Sequence, residues 1–154
     1  MLGRLTAAGG SVIGAAQGVL RLPPRDRGPF LRASWELLCA RVGLRFGATR
    51  RRLLRGLDAH ARCESPPDER LLSLFAEAVR RQPTPPLCLP RAVALSRFLA
   101  AMGVRTRLRL GVRREDGQPL EGHAWVEWDG GAIAEPTPPV RSFVPLTWAG
   151  ASRS

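Results

Sequence analysis

The stretch CLPRAVALSRFLAAMGVRTRLRLGVR, residues 88–113, changes its hydrophobic period once, at Gly103. Before that point Ala92, Leu95 and Leu99 recur at helical spacing, so the chain from Cys88 reads as a helix with those side chains inward and Gly103 as its stop. After it, Leu108, Leu110 and Val112 alternate with Arg107 and Arg109, the two-residue period of a strand. The preceding QPTPPL, residues 82–87, breaks an earlier helix and leaves Cys88 at the N-terminus of the next one.

Downstream the strand period persists. Glu115-Asp116-Gly117 supplies a turn, GHAWVEW (122–128) a second strand, and Asp129-Gly130 a tight hairpin turn into a third, AIAEP (132–136). Helices followed by an antiparallel meander make an α+β arrangement. Upstream, Ser65, Pro66 and Pro67 followed by Asp68 and Glu69 form a helix start: a hydroxyl cap, prolines where no N–H is missed, and acids against the dipole. That helix is expected to run to about Arg81 with Leu71, Leu74, Phe75 and Ala78 buried.

Between Phe30 and Phe46 the side chains Leu31, Trp35, Leu38 and Val42 recur at helical spacing and are expected to face the core, with Arg32, Glu36 and Arg45 elsewhere. Residues 49–61 repeat the pattern more weakly through Leu53, Leu54 and Leu57, beside a basic face of Arg50, Arg51, Arg52 and Arg55. The chain therefore divides into a flexible or weakly helical segment (1–29), a helical region (30–64) and a core (65–154). Residues 5–20 carry no charge, but they fall short of the roughly 20 needed to span a bilayer and lack a convincing signal-cleavage context. No stable membrane insertion is expected.

A chain of 154 residues holds one compact domain with an extension, and 44% hydrophobic with 24% charged residues excludes wholesale disorder. All 24 basic residues are arginine, and the formal net charge is +11. Arginine adds planar bidentate donors to its charge, so an acidic peptide or protein competes with nucleic acid as the partner of such a surface. Three cysteines, Cys39, Cys63 and Cys88, are an odd number with no C-x-x-C pair, which fits neither a disulfide framework nor a zinc ribbon. A free thiol points to the reducing cytoplasm.

Cys88 is the one cysteine with an activating context, because the positive end of a helix dipole favours thiolate. Cys39, within an apolar helix, and Cys63, in a polar connector, read as incidental thiols. His60 and His123 are the only histidines. His123 opens the second strand, 35 residues after Cys88, where a strand folded back over the helix start brings imidazole to thiol. A hairpin centred on Asp129-Gly130 sets residues 135–137 beside His123, which makes Glu135 the candidate orienting carboxylate. Asp129, about 20 Å from His123 along an extended strand, is the fallback, and Glu127 lies about 13 Å away. The backbone N–H of Cys88 is a candidate oxyanion donor. Of Trp125 and Trp128, which point to opposite faces, at least one should be core.

The blocks CLPRAVAL (88–95), MGVRTRLRLGVR (102–113), GHAWVEWDG (122–130) and SFVPL (142–146) together resemble the transglutaminase-like cysteine proteases that act as leader peptidases in lasso-peptide biosynthesis. The resemblance covers about residues 65–146 and, more loosely, 30–64. It implies a papain/transglutaminase-like core, Cys88 as nucleophile, His123 as general base, and Glu135 at the position where the family usually has Asp. It implies no metal and no cofactor. Residues 1–64 lack the strand-rich pattern of a fused recognition domain, so the chain resembles the split form. Its implied partners are the precursor's leader, a separate precursor-recognition protein and a lasso cyclase acting next, with no nucleic acid. Three rival readings stand beside it: acyl transfer to an amine through the same triad, an Arg-rich nucleic-acid-binding module, and a catalytically idle scaffold.

Overall fold

The computed structural model describes residues 19–46, 66–114, 117–134 and 142–146. Among these residues three helices, α1 (Pro24–Gly43), α2 (Glu69–Arg80) and α3 (Cys88–Ala101), precede a sheet of β1 (Arg107–Arg113), β2 (Glu121–Trp128), β3 (Gly131–Ile133) and β4 (Val144–Pro145). The strands lie in the order β3-β2-β1-β4, and every neighbouring pair is antiparallel. The expected α+β class is the observed one.

α3 is the central element, packed against α1 on one side and β2 on the other. It buries Ala92, Val93, Ala94, Leu95, Ser96, Phe98 and Leu99, more than the single stripe expected, because a helix covered from both sides is apolar nearly all round. Phe98 stacks on Phe75 of α2 with ring centroids 5.8 Å apart. Gly103, at φ 83°, ends the helix in the left-handed conformation that glycine adopts without penalty.

α1 departs from expectation twice. It begins at Pro24, six residues before Phe30, because proline suits the first helical turn, where no intrahelical N–H bond is lost. Its buried side is also the other one: Phe30, Ala33, Leu37 and Ala40 face the core, while Leu31, Trp35, Leu38 and Val42 are exposed. Two apolar stripes run along this helix, and the one containing alanines permits close approach to α3. It carries Glu36 inside with it, 1% exposed, held by Arg97 at 2.8 Å and Arg32 at 2.7 Å. Asp26, also buried, accepts two hydrogen bonds from Arg70 and so ties α1 to α2.

α2 is capped by Asp68, whose carboxylate accepts from the Arg70 N–H at 2.8 Å; the start is thus three residues later than a Ser65 cap would place it. Leu74, Phe75 and Ala78 are buried as expected, and Leu71 packs against them from the margin. Residues 1–18 and the Arg-rich stretch 49–61, with Cys63 and His60, lie outside the described residues. Among the described residues no helix is long and apolar enough to cross a membrane.

Candidate active site

In the sheet, Leu108 pairs with Val126 and Leu110 with Ala124, and this face joins the core against α3. The tight turn between β2 and β3 has Asp129 at φ 47° and Gly130 at φ 77°, the signature of a two-residue hairpin that matches strand twist. Asp129 is therefore committed to the turn, at the end of β2 remote from His123.

Cys88 is the first residue of α3, half-buried and packed on the edge of the core. Two contacts fix how this helix lies on the sheet. Ser96 Oγ is 3.1 Å from Thr106 Oγ1, which holds the second half of α3 at the start of β1. Arg91, one turn beyond Cys88, donates from Nη2 to the carbonyl of Ala134 at the end of β3. Arg91 thus ties the first turns of α3 to the end of β3, whose last paired residue, Ile133, lies opposite Val126.

His123 is half-buried among aromatic rings. Phe143, 4% exposed, lies with its centroid 5.1 Å from the imidazole at an interplanar angle of 30°, and Trp125 stacks at 6.2 Å and 16°. Each is held in turn. The Arg113 guanidinium sits 5.0 Å over the Phe143 ring, a cation–π arrangement. Trp125, 2% exposed, donates its indole N–H to Glu127 at 2.9 Å, and Glu127 also accepts from Arg109 at 2.8 Å. Glu127 is accordingly engaged by Trp125 and Arg109.

Gly111, opposite His123 on β1, makes room for the indole: a Cβ there would lie 2.7 Å from Trp125 Cη2 and 3.0 Å from the Val144 carbonyl. Glu135 lies outside the described residues. Its predecessor, Ala134, has φ 53°, a left-handed conformation uncommon without glycine, and its carbonyl is the one gripped by Arg91. The regular β2–β3 pairing ends just before it, at Val126↔Ile133.

Beside this assembly a cleft of about 370 Å³ is lined by Arg113, Gln118, Pro119, Leu120 and Glu121, where β1 and β2 are joined. Arg113 and Glu121 form an ion pair of 2.6 Å at its wall. No group of three or more metal-ligating side chains occurs among the described residues.

Sequence reasoning missed Phe143, Gly111 and Arg91 as parts of this site. Gly111 carried a signal, since it interrupts the alternation of Leu108, Leu110 and Val112 with arginines. Phe143 carried none beyond its place in the SFVPL block. Its position depends on β4 returning to pair with β1, Val112 with Val144 and Gly111 with Pro145.

The family model described as the transglutaminase-like superfamily matches residues 35–147. Neither the curated proteins nor the solved structures gave a match.

Proposed function

From a chain that belongs to the transglutaminase-like superfamily, which includes cysteine peptidases, we infer a cysteine peptidase that removes the leader from a ribosomally made lasso-peptide precursor. The observation that carries this reading is Cys88 at the first residue of a buried central helix that packs on β2, the strand bearing an imidazole flanked by two aromatic rings. Alternation along β2 sends Ala124 and Val126 into the core and His123 with Trp125 to the other side. The reading therefore requires the Cys88 thiol, at the end of α3, to reach the imidazole around the margin of the layer, where an extended peptide would have access.

In the proposed reaction His123 takes the Cys88 proton, and the thiolate attacks the carbonyl of the last leader residue. The tetrahedral oxyanion receives the Cys88 backbone N–H, one of the unpaired donors of the first turn of α3. On collapse the C–N bond breaks, and the proton on His123 goes to the departing amine, which becomes the new N-terminus of the core peptide. Water, deprotonated by His123, then cleaves the thioester to a carboxylate and restores the thiol. Glu135 is the proposed orienter of the imidazole. A cyclase would use the freed amine next, and a separate recognition protein would hold the leader.

Acyl transfer to an amine differs only in the nucleophile that meets the thioester. Mass spectrometry of the precursor incubated with this protein and the recognition partner separates the two outcomes: hydrolysis adds a water across one bond, whereas a crosslink loses ammonia or an amine. Cleavage at a single bond, abolished by Cys88→Ala and His123→Ala and reduced by Glu135→Ala, is the expected result. A precursor left intact by folded protein with its partner bound would overturn the peptidase reading.

A further inference from the structure

The exposed side of α1 displays Leu31, Trp35, Leu38 and Val42, which are 53%, 59%, 51% and 48% exposed. A row of large apolar side chains on one face of a helix whose opposite face already fills the core is not needed for folding. Its shape is specific. The spacing is four, three and four residues, the rhythm of a coiled-coil seam, and the row spans about 17 Å, three helical turns. It is also narrow: Arg32 and Cys39 border it on one side, Ser34 and Arg41 on the other. A membrane-surface helix presents a broad apolar face, whereas a single seam is the width of one opposing helix.

Charge restricts the occupant further. The two acids of α1, Asp26 and Glu36, are both turned inward and bonded to arginines, so the exposed charges on and just beyond this helix are Arg25, Arg32 and Arg45. A second copy of the chain would set these arginines against their equivalents, on a molecule of net charge +11. The chain's own remaining segments do not supply the complement: residues 1–18 and 147–154 contain no acid, 47–65 hold Asp58 and Glu64 among five arginines, 135–141 hold Glu135 with three prolines and Arg141, and Glu115-Asp116 is only two residues long. We propose that this seam receives one amphipathic helix of another protein, whose apolar ridge meets Leu31, Trp35, Leu38 and Val42 and whose flanks carry glutamate or aspartate. The proposal does not depend on the peptidase reading, because the seam is made of α1 residues alone.

The test uses the full-length protein and a fluorescently labelled synthetic helix of three heptads with leucine at the seam positions and glutamate at the flanks. A second peptide with lysine at the flanks serves as its control. Anisotropy is expected to show saturable one-to-one binding of the glutamate peptide and none of the lysine peptide. Trp35→Ala is expected to weaken it about tenfold or more, as truncation of a central aromatic anchor does, and added salt should weaken it too. Circular dichroism of the variant confirms that the exposed substitution leaves the fold intact. Failure of the glutamate peptide to bind, equal binding of both peptides, or indifference to Trp35→Ala would each overturn the proposal. So would Trp35-dependent self-association in sedimentation, or Trp35-dependent uptake onto phosphatidylglycerol vesicles without binding of the glutamate peptide.

Discussion

α1, of 20 residues, and α3, of 14, pack against each other, yet their sequences constrain them very differently. α3 is covered from two sides, so nearly every side chain from Ala92 to Leu99 is buried and no rotation about its axis changes the outcome. α1 has one covered side and two apolar stripes that could fill it. The stripe with more hydrophobic surface, Leu31–Trp35–Leu38–Val42, is outside; the one with Ala33 and Ala40 is inside and brings a carboxylate with it. Hydrophobicity therefore selects a stripe only where nothing else does. Here the close fit of small residues and the pairing of Glu36 with Arg97 outweigh the larger transfer gain of the other face, about 25 cal/mol for each Å².

The largest test of that contrast pairs one substitution from each helix. Phe98→Ala removes a fully buried ring stacked on Phe75 and is expected to cost about 3–5 kcal/mol in urea unfolding. Leu38→Ala, on the outer stripe, should stay within about 0.5 kcal/mol. Comparable losses at the two positions would mean that the outer stripe is covered in the folded protein.

Next in size is the ion pair that orients α1. Arg97→Ala leaves Glu36 buried with only Arg32 as a partner, an expected loss of about 2–3 kcal/mol. Adding Glu36→Gln should recover part of it, since an amide costs less to bury than a half-paired carboxylate. If the double variant is no more stable than the single one, the buried charge is not what makes Arg97 necessary.

The same contrast explains what could be read from the sequence. The helix-to-strand change at Gly103 and the Asp129-Gly130 hairpin are encoded locally, by period and by left-handed turn residues, and both were legible. Cys88 at the start of α3 was legible for the same reason. The choice of stripe on α1 was not, because it depends on Arg97, which is 61 residues from Glu36. Nor was the aromatic enclosure of His123, which needs β4 to return beside β1 and bring Phe143 with it.

Gly111→Ala probes that enclosure. The added methyl would meet the buried Trp125 indole at 2.7 Å and the Val144 backbone carbonyl at 3.0 Å, so the expected stability loss is about 1–3 kcal/mol, the usual range for overpacking. Because Trp125 lies against the imidazole, the near-ultraviolet signal of tryptophan and the His123 ring resonances should change as well. Unchanged His123 resonances alongside a shifted indole would show that Trp125 does not hold the ring.

The smallest expected effect compares the cysteines of the two helices. Burial, and secondarily the Glu36 carboxylate, push the Cys39 thiol above its ordinary range, so at neutral pH it stays protonated and should alkylate more slowly than a cysteine in a flexible peptide. Glu36→Gln removes only the lesser cause. Peptide-resolved mass spectrometry after timed iodoacetamide treatment should therefore show Cys39 accelerated by a small factor, while Cys88, at the start of α3 and nine residues before Arg97, is unchanged. The rate at Cys39 should rise as pH increases toward its raised pKa, because the thiolate is the reacting form. A Cys39 that already reacts like a peptide thiol at pH 7 would mean that the flank of α1 beside Glu36 opens to solvent.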